Sequence, residues 1–358
     1  MKKFELLNKK YKKKIFKCDI CTSKNYKVFQ SYGRNKEPGE YGKVQILICK
    51  VCGLKSQNPR YSEYYYIEYY KLLYRKIAFG SIKPSSIYLK EQYQRSKGVM
   101  SFVNNIKFLN NRMLDHGCAS GATMLPWIEK GWRSSGIDPH HESVKIAKKN
   151  NLNVSKAFGE KLPFKSKSFD LILSLGSIEH AYNLKKVISE MYRVLDNKGY
   201  LLIRWRSDII FGSPLEYFNH NHYYFFTDKT IKYLLNKNNF SIIKSTSKKL
   251  EGWENYKYTL AKKNENLKIN FKFNKNEYIN EIKKIQKRRK TFYNKCKKFL
   301  NFCKHNNYNL KNIYSKIRNK NTSFNWKILG NKDYKNTIQR SIMEAKKYIE
   351  MYDNKMVK

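Results

Sequence analysis

Between residues 108 and 263 the spacing of apolar positions keeps changing period, from strand-like to helical and back. Met113 and Leu114 close a short apolar run that ends on Asp115; a glycine-bearing turn follows, then helical spacing over residues 123–130. Residues 135–138 end a second strand and 142–150 form a second helix. Residues 169–175 are nearly all apolar, as expected of a strand covered on both faces. Leu184, Val187, Ile188, Met191 and Leu195 then share one stripe at helical steps. Another strand, 200–205, is reached through Gly199, and Thr227 is a good N-cap for a helix carrying Ile231, Leu234 and Leu235. Two last strands, near 240–244 and 256–261, fit an antiparallel edge. Such alternation predicts an α/β fold built on a parallel sheet.

The flanks follow other patterns. Residues 1–60 are turn-rich and hold two Cys-x-x-Cys pairs, and residues 61–107 are tyrosine-rich and helical in pattern over 64–74 and 87–108. Residues 264–358 are basic and helical. There Tyr278, Ile282, Ile285, Arg289, Phe292, Cys296, Phe299 and Cys303 repeat in steps of four and three, as do Ile338, Ile342, Ala345, Ile349 and Tyr352. Both series predict helices with a narrow apolar seam, and a hairpin packed on itself is a simpler reading than a dimerising coiled coil. Cys296 and Cys303 lie two turns apart, on the order of 10 Å by helical rise, too far for a mutual disulfide. The expected organisation is therefore a small N-terminal module (1–60), a helical linker or lid (61–107), the α/β domain (108–263) and a basic helical extension (264–358).

With 358 residues the chain has room for two or three domains, and 41% hydrophobic with 15% aromatic residues excludes a disordered polymer. Charge adds a question. The chain has 74 Lys+Arg against 28 Asp+Glu, a formal +46. A polyanionic partner such as nucleic acid, anionic lipid or glycan is one explanation. Drift towards AT-rich codons, which encode the over-used Lys, Asn, Tyr and Ile, is the other, and the spread of basic residues along the whole chain favours it. Residues 1–17 are basic without the apolar stretch of a signal peptide, and no apolar run reaches the roughly 18 residues of a membrane span. A cytoplasmic location is expected, where seven cysteines point to thiol or metal chemistry over disulfides.

Cys18, Cys21, Cys49 and Cys52 form two knuckles whose four thiolates would close a tetrahedral shell around zinc. Gly53 gives the second pair its tight turn. A module with so little core takes much of its folding energy from the metal, and a shell filled by protein leaves the site structural. A redox pair is disfavoured, since neither motif follows a strand and opens a helix.

Leu114, Asp115, His116, Gly117, Cys118, Ala119, Ser120 and Gly121 sit where the first strand turns into the first helix, the place where glycine-turn amides face a ligand. Asp138, in Gly136-Ile137-Asp138-Pro139, ends the next strand roughly twenty positions further on, a spacing that brings a carboxylate to ribose hydroxyls. That geometry suits NAD and S-adenosylmethionine alike. Later motifs separate the two: Gly159-Glu160-Lys161-Leu162-Pro163-Phe164, Ser168-Phe169-Asp170, Ile178-Glu179-His180, and Glu190 to Leu195 followed by Gly199. With these, residues 110–262 resemble the class I, Rossmann-like S-adenosylmethionine-dependent methyltransferases, in the branch of bacterial small-molecule, quinone and sugar enzymes. Asn219 to Thr227 also looks like that family's segment after the fifth strand, and zinc-ribbon N-terminal extensions occur among its glycan and deoxysugar members.

The resemblance implies a mostly parallel seven-stranded sheet and a site for S-adenosylmethionine. Gly117, Ala119 and Gly121 would bring the backbone to the methionine part and Asp115 would organise the loop. Asp138, with Pro139 beside it, would bind the ribose diol. Phe158, Gly159 and Glu160 would flank adenine, and Leu175 and Gly176 would line the methyl-transfer site. Two positions depart from the pattern. Ala119 stands where glycine is common, implying a loop set further from the cofactor, and Phe158 stands where an aspartate often meets the adenine amino group.

If the acceptor is a hydroxyl, its proton must be removed, and His180, His220 and His222 are the candidates as general base; each also has a plain reading as a hydrogen-bonded structural residue. Cys118 reads as a small turn residue. Arg204 and Arg206 could face an anionic substrate or solvent, and Tyr64, Tyr65, Tyr66, Tyr69 and Tyr70 a sugar or the domain itself. The expected activity is methyl transfer, by O-methylation, to a saccharide or related small molecule in cell-surface glycan biosynthesis. A second reading has RNA as acceptor, gripped by the zinc ribbon and basic surface. A third, a non-enzymatic scaffold, fits poorly with an intact Asp138 and glycine pair.

Overall fold

The computed structural model describes residues 12–13, 17–32, 44–58, 60–75, 81, 83–205, 222–246, 256–267, 273, 277–309, 311, 338–339, 341–343, 345–346 and 349–350. Strands β1 (Lys12–Lys13), β2 (Tyr26–Tyr32), β3 (Val44–Cys49), β4 (Lys55–Gln57) and β5 (Arg60–Tyr61) open the chain. β1 pairs with β5, and β2, β3 and β4 form an antiparallel meander. Ser62 then caps α1 (Glu63–Glu68) by accepting the Tyr65 amide, and the helix runs on into a wider π-type turn, Tyr69–Leu73. Helix α2 (Ser86–Phe102) starts on Ser85 and stops well before residue 108. The reason is tertiary: Phe108 turns away to pack edge-on against Trp132, ring centroids 4.8 Å apart, and against Tyr200.

The α/β region follows as β6 (Arg112–His116), α3 (Leu125–Glu129), β7 (Arg133–Asp138), α4 (His141–Lys149), β8 (Val154–Lys156), β9 (Phe169–Leu175), α5 (Leu184–Val194), β10 (Leu195–Trp205), β11 (Tyr224–Phe225), α6 (Asp228–Lys237), β12 (Phe240–Thr246) and β13 (Lys257–Lys263). Seven strands make one sheet in the order β12-β13-β10-β9-β6-β7-β8. The stretch from β10 to β8 is parallel, and β13 runs antiparallel to both β10 and β12. This is the parallel α/β sheet that the alternating pattern implied, in the mostly parallel seven-stranded, Rossmann-like form that the resemblance implied. Strand β8 escapes the pattern because Val154 is its one buried apolar side chain.

Alternate residues of the central strands feed two apolar layers. Leu114, Ile172, Leu201 and Ile203 pack with Leu184, Val187, Ile188 and Met191 of α5, while Met113, Leu171, Leu173 and Leu202 pack with Trp127 and Val144. Each such side chain, once buried, stabilises the fold by about 1.5–3 kcal/mol. Thr227 caps α6 reciprocally with Thr230. The chain leaves β6 towards β7 and β8 on one side, then returns to β9 on the other. Order thus reverses beside β6, which opens a crevice at the carboxyl ends of the strands.

Residues 211–218 and 281–358 belong to a second compact unit, which holds most of helix α7 (Glu277–His305). In that unit Cys296, Phe299 and Cys303 are buried, as are Ile338, Ile342 and Ala345, and the Lys346 ammonium lies 5.5 Å from the Tyr308 ring centroid. The seam positions Ile282, Ile285 and Phe292 are only half-buried. Tyr352 lies outside the described residues. Among the described residues no helix is long and apolar enough to cross a membrane.

Candidate active site

The crevice is built by the turn that leaves β6. Gly117, at φ +84°, and Cys118 both donate their amides to the Ile137 carbonyl at 2.9 Å, so the turn leans on β7. Ala119 is held in the left-handed region at φ +48°, which costs an L-residue roughly 1–2 kcal/mol. Its amide donates to Asp138 Oδ2 at 2.9 Å while the His140 amide donates to Oδ1 at 2.8 Å. Alanine at this position therefore does not detach the loop; the carboxylate ties it down. Gly121 has a different duty. A Cβ there, at φ +82°, would collide with Leu152 Cδ1, so this glycine serves packing against the sheet edge. Asp115 accepts the Thr123 hydroxyl and anchors the far end of the loop.

Both carboxyls are buried. Burial pushes Asp138 up to about 6, against the pull of the His140 and Ala119 amides and of Arg75. Burial likewise pushes Asp115 up to about 7, with the Thr123 bond opposing and the nearby Asp138 adding to the rise. Cys118 is buried against Gly136 and its thiol is pushed well up by burial, which suits a filler and not a nucleophile.

Two cavities meet at this turn. The larger, about 470 Å³, is lined by Asp115, Gly117, Ala119, Asp138, Leu175, Gly176, Glu179, His180, Arg204 and His222. The smaller, about 100 Å³, is lined by Pro139, Phe158 and Gly159 together with Tyr66, Tyr70 and His116. They share Tyr74, Gly117, Asp138, Gly176 and His180, so Asp138 sits at the junction. Glu160 lines neither; it accepts the amides of Tyr182 and Asn183 at the start of α5.

Two residues here, His116 and Arg75, had no role assigned from the sequence. His116 donates Nδ1–H to Ser177 Oγ at 2.8 Å, burial pulls its pKa down to about 4, and its Nε2 has no partner among the described residues. Tyr66 packs on Phe158, ring centroids 5.4 Å apart, so the tyrosine-rich helix roofs the smaller cavity. Arg75, from the end of that helix, lies against Tyr88 and near Asp138. Arg204 donates to the Leu175 carbonyl at 2.6 Å and stacks 4.1 Å from the Tyr256 centroid.

Two histidines line the same cavity, His180 and His222. Glu179 and His180 lie on the short turn Ile178–His180 that follows β9. His180 Nδ1 and Tyr70 Oη are 2.7 Å apart, and the His180 and His222 rings lie 4.6 Å apart. His220 and Arg206 lie outside the described residues. His222 is fixed from an unexpected direction. Strand β11 pairs with β4 and so completes the cysteine module's sheet, in the order β11-β4-β3-β2. Gln57 Nε2 donates to the His222 carbonyl at 2.8 Å, and the Tyr223 amide donates to the Glu179 carbonyl at 2.9 Å. Buried Arg60 adds a clamp, bonding Asp19 of the first knuckle, the Tyr182 carbonyl and the Tyr224 hydroxyl.

In the module itself the Cys18 and Cys52 sulfurs lie 3.6 Å apart and those of Cys21 and Cys49 3.5 Å apart. A disulfide would hold them near 2.05 Å, whereas Zn–S bonds of about 2.3 Å at a tetrahedral centre put sulfurs roughly 3.7 Å apart. All four fall within one ligand sphere. Each knuckle closes with the same bond, from the Thr22 amide to Cys18 and from the Gly53 amide to Cys49, both 2.9 Å. Thr22 and Gly53 share the left-handed conformation. The donor set fits a zinc ion with no open position.

Residues 114–203 match the family of methyltransferase domains. An uncharacterised protein of Methanocaldococcus jannaschii is 39% identical over 92 residues, 26% of this chain and 43% of that one. A ubiquinone biosynthesis O-methyltransferase of Bartonella quintana is 24% identical over 173 residues, 42% of this chain and 70% of the relative. Among solved structures, a SAM-dependent methyltransferase of Methanosarcina mazei aligns at 20% identity with a TM-score of 0.39, covering 46% of this chain and 97% of the other. The chain thus spans less than half of the archaeal relative. Its central segment, residues 114–203, is similar to methyltransferase domains.

Proposed function

We propose that the chain, with a methyltransferase domain at its centre, transfers a methyl group from S-adenosylmethionine to a hydroxyl of a saccharide or related small polar molecule. The observation that carries this reading is the buried Asp138, joined to the loop amide of Ala119 at the junction of two cavities. Its carboxylate accepts one backbone amide on each oxygen and makes no salt bridge among the described residues, so it is placed to accept the two ribose hydroxyls of a nucleoside. The smaller cavity suits adenine, with Pro139, Phe158 and Gly159 at its faces and the His116 Nε2 lone pair as an acceptor for the amino group. Gly117, Ala119, Leu175 and Gly176 would border the methionine part, with Asp115 and Gly121 shaping the loop behind them. When bound, the cofactor supplies an electrophilic methyl group on a sulfonium sulfur. The protein's own task is then alignment and exclusion of water.

The rest of the larger cavity is the acceptor's. Gln92, Arg95, Glu91, Arg204, His180 and His222 make it polar, which favours a polyhydroxylated acceptor over a steroid or quinone. His180 and His222 would contact the reacting oxygen. The cysteine module, holding structural zinc through Cys18, Cys21, Cys49 and Cys52, would act through β4 and β11 by keeping His222 in that cavity. This reading makes the chain a cytoplasmic enzyme of glycan assembly. One feature favours an RNA acceptor: a groove between α4 and β8 carrying Lys145, Lys148, Lys149 and Lys156.

The test is methyl transfer from cofactor labelled in its methyl group to separate pools of free sugars and sugar nucleotides, of quinols, and of total RNA. Label in the saccharide pool is expected. Label confined to RNA would reject the saccharide reading, and label in none of the pools would reject both.

A further inference from the structure

We propose that Glu179, His180 and His222 form a binding site for a divalent transition-metal cation, which takes the acceptor's hydroxyl oxygen as a further ligand. The three side chains present one donor atom each, and all three atoms lie within 4.8 Å of one another. Around an ion with bonds of about 2.1 Å, donors stand roughly 3–3.5 Å apart, so the side chains need to close by at most about 2 Å. Glu179 is 4% exposed, and its Oε2 has no partner among the described residues. A carboxylate oxygen kept from water without a bond is costly unless something cationic completes it.

The arginines that line the cavity have other partners: Arg204 the Leu175 carbonyl and the Tyr256 ring, Arg75 the Tyr88 ring, and Arg95 Glu91. Two imidazoles and one carboxylate select a cation of borderline softness, such as Co2+, Fe2+ or Zn2+, over Mg2+ or Ca2+. Three protein ligands on a cavity wall also leave positions open, unlike the closed cysteine shell. An ion on His180 would sit at Nε2, with Nδ1–H donated to Tyr70 Oη across 2.7 Å, the outer bond that orients a ligating imidazole. His222 is held in place by the bonds of its carbonyl and its neighbour to Gln57.

The presence of the ion stands on this geometry alone, while its role rests on the methyl-transfer reading. In that role the ion lowers the pKa of the hydroxyl it binds, and the proton passes to solvent. The oxygen's electron pair then forms the new C–O bond as the C–S bond breaks and its pair returns to sulfur. Such an ion replaces direct proton abstraction by His180 or His222.

The test is a titration of the full chain, carrying a single equivalent of zinc in its cysteine module, with Co2+ in the absence of cofactor. Zinc holds the sulfur site, so uptake of one Co2+ per chain with visible ligand-field bands and no sulfur charge-transfer band is expected. Tyr70→Phe should weaken binding about tenfold, as loss of an outer-shell bond does. Glu179→Gln and His222→Gln should each abolish saturable uptake, with unchanged circular dichroism showing that they fold. No uptake by the parent, or equal uptake by both ligand variants, overturns the proposal. Calorimetry with S-adenosylhomocysteine on the same samples separates the two claims. Co2+ uptake without nucleoside binding upholds the metal site and removes methyl transfer, and nucleoside binding without Co2+ uptake does the reverse.

Discussion

Asp138 and Asp115 are carboxyls that the fold buries before any ligand arrives, and this gives the site a pH signature. With ordinary values near 4 raised to about 6 and about 7, both are largely protonated below those values and ionised above them. Only the ionised Asp138 accepts two ribose hydroxyls, and a sulfonium nucleoside carries positive charge, so binding favours the deprotonated pair. Affinity should therefore rise as pH climbs from about 5 to about 8, with protons released on binding between them. Calorimetry in two buffers of different ionisation enthalpy reads that release, and a pH-independent affinity would contradict it. Glycine effects separate in the same way. Gly121→Ala combines a left-handed residue, roughly 1–2 kcal/mol, with crowding of Leu152, roughly 1–3 kcal/mol. A loss of about 2–4 kcal/mol in urea unfolding should result. Since that side chain points to Leu152 and not the cavity, nucleoside affinity of the folded variant should stay near the parent's.

At the scale of elements, the amphipathic stripes and the apolar run of β9 made the sheet legible, because burial there depends on period alone. Thr227 likewise announced α6 through its hydroxyl, and the four cysteines announced their module. What the pattern could not carry was pairing between distant segments. A two-residue strand such as β11 has no period, yet it joins the cysteine module's sheet and sets His222 beside Glu179. The tyrosine-rich helix was legible as a helix, but that Tyr66 and Tyr70 roof the cofactor crevice depends on how it docks. His116 was hidden for a similar reason, since its Nε2 matters only because of the cavity it meets. This linkage predicts that removing zinc from the module, by Cys21→Ser with free divalent cation still supplied, damages catalysis more than cofactor binding. Turnover should fall at least about tenfold, in line with the loss of an outer-shell support, while S-adenosylhomocysteine affinity changes little. An equal loss of both would mean that the module holds up the whole domain. Arg60→Ala, which strands Asp19 and two oxygen acceptors, should cost about 3–5 kcal/mol in denaturant unfolding.

Over the whole molecule, a formal +46 forces attraction to any polyanion. Binding to a random RNA should weaken steeply with salt whatever the substrate is, so RNA affinity at low salt says nothing about the acceptor, whereas methylated product does. The chemistry instead turns on one junction, where the loop after β6, Asp138 at the end of β7 and two adjoining cavities shape a place for a charged nucleoside. Calorimetric titration of the full chain and of Asp138→Ala with S-adenosylmethionine at pH 7.5 tests that junction most directly, the pH being set above about 6 and about 7 so that both carboxyls are ionised. The parent should bind one equivalent. The variant should bind roughly a hundredfold or more weakly, since two hydrogen bonds to a charged acceptor are worth about 1.5–3 kcal/mol each. Equal binding by both proteins, or no binding by the parent, would contradict the assignment.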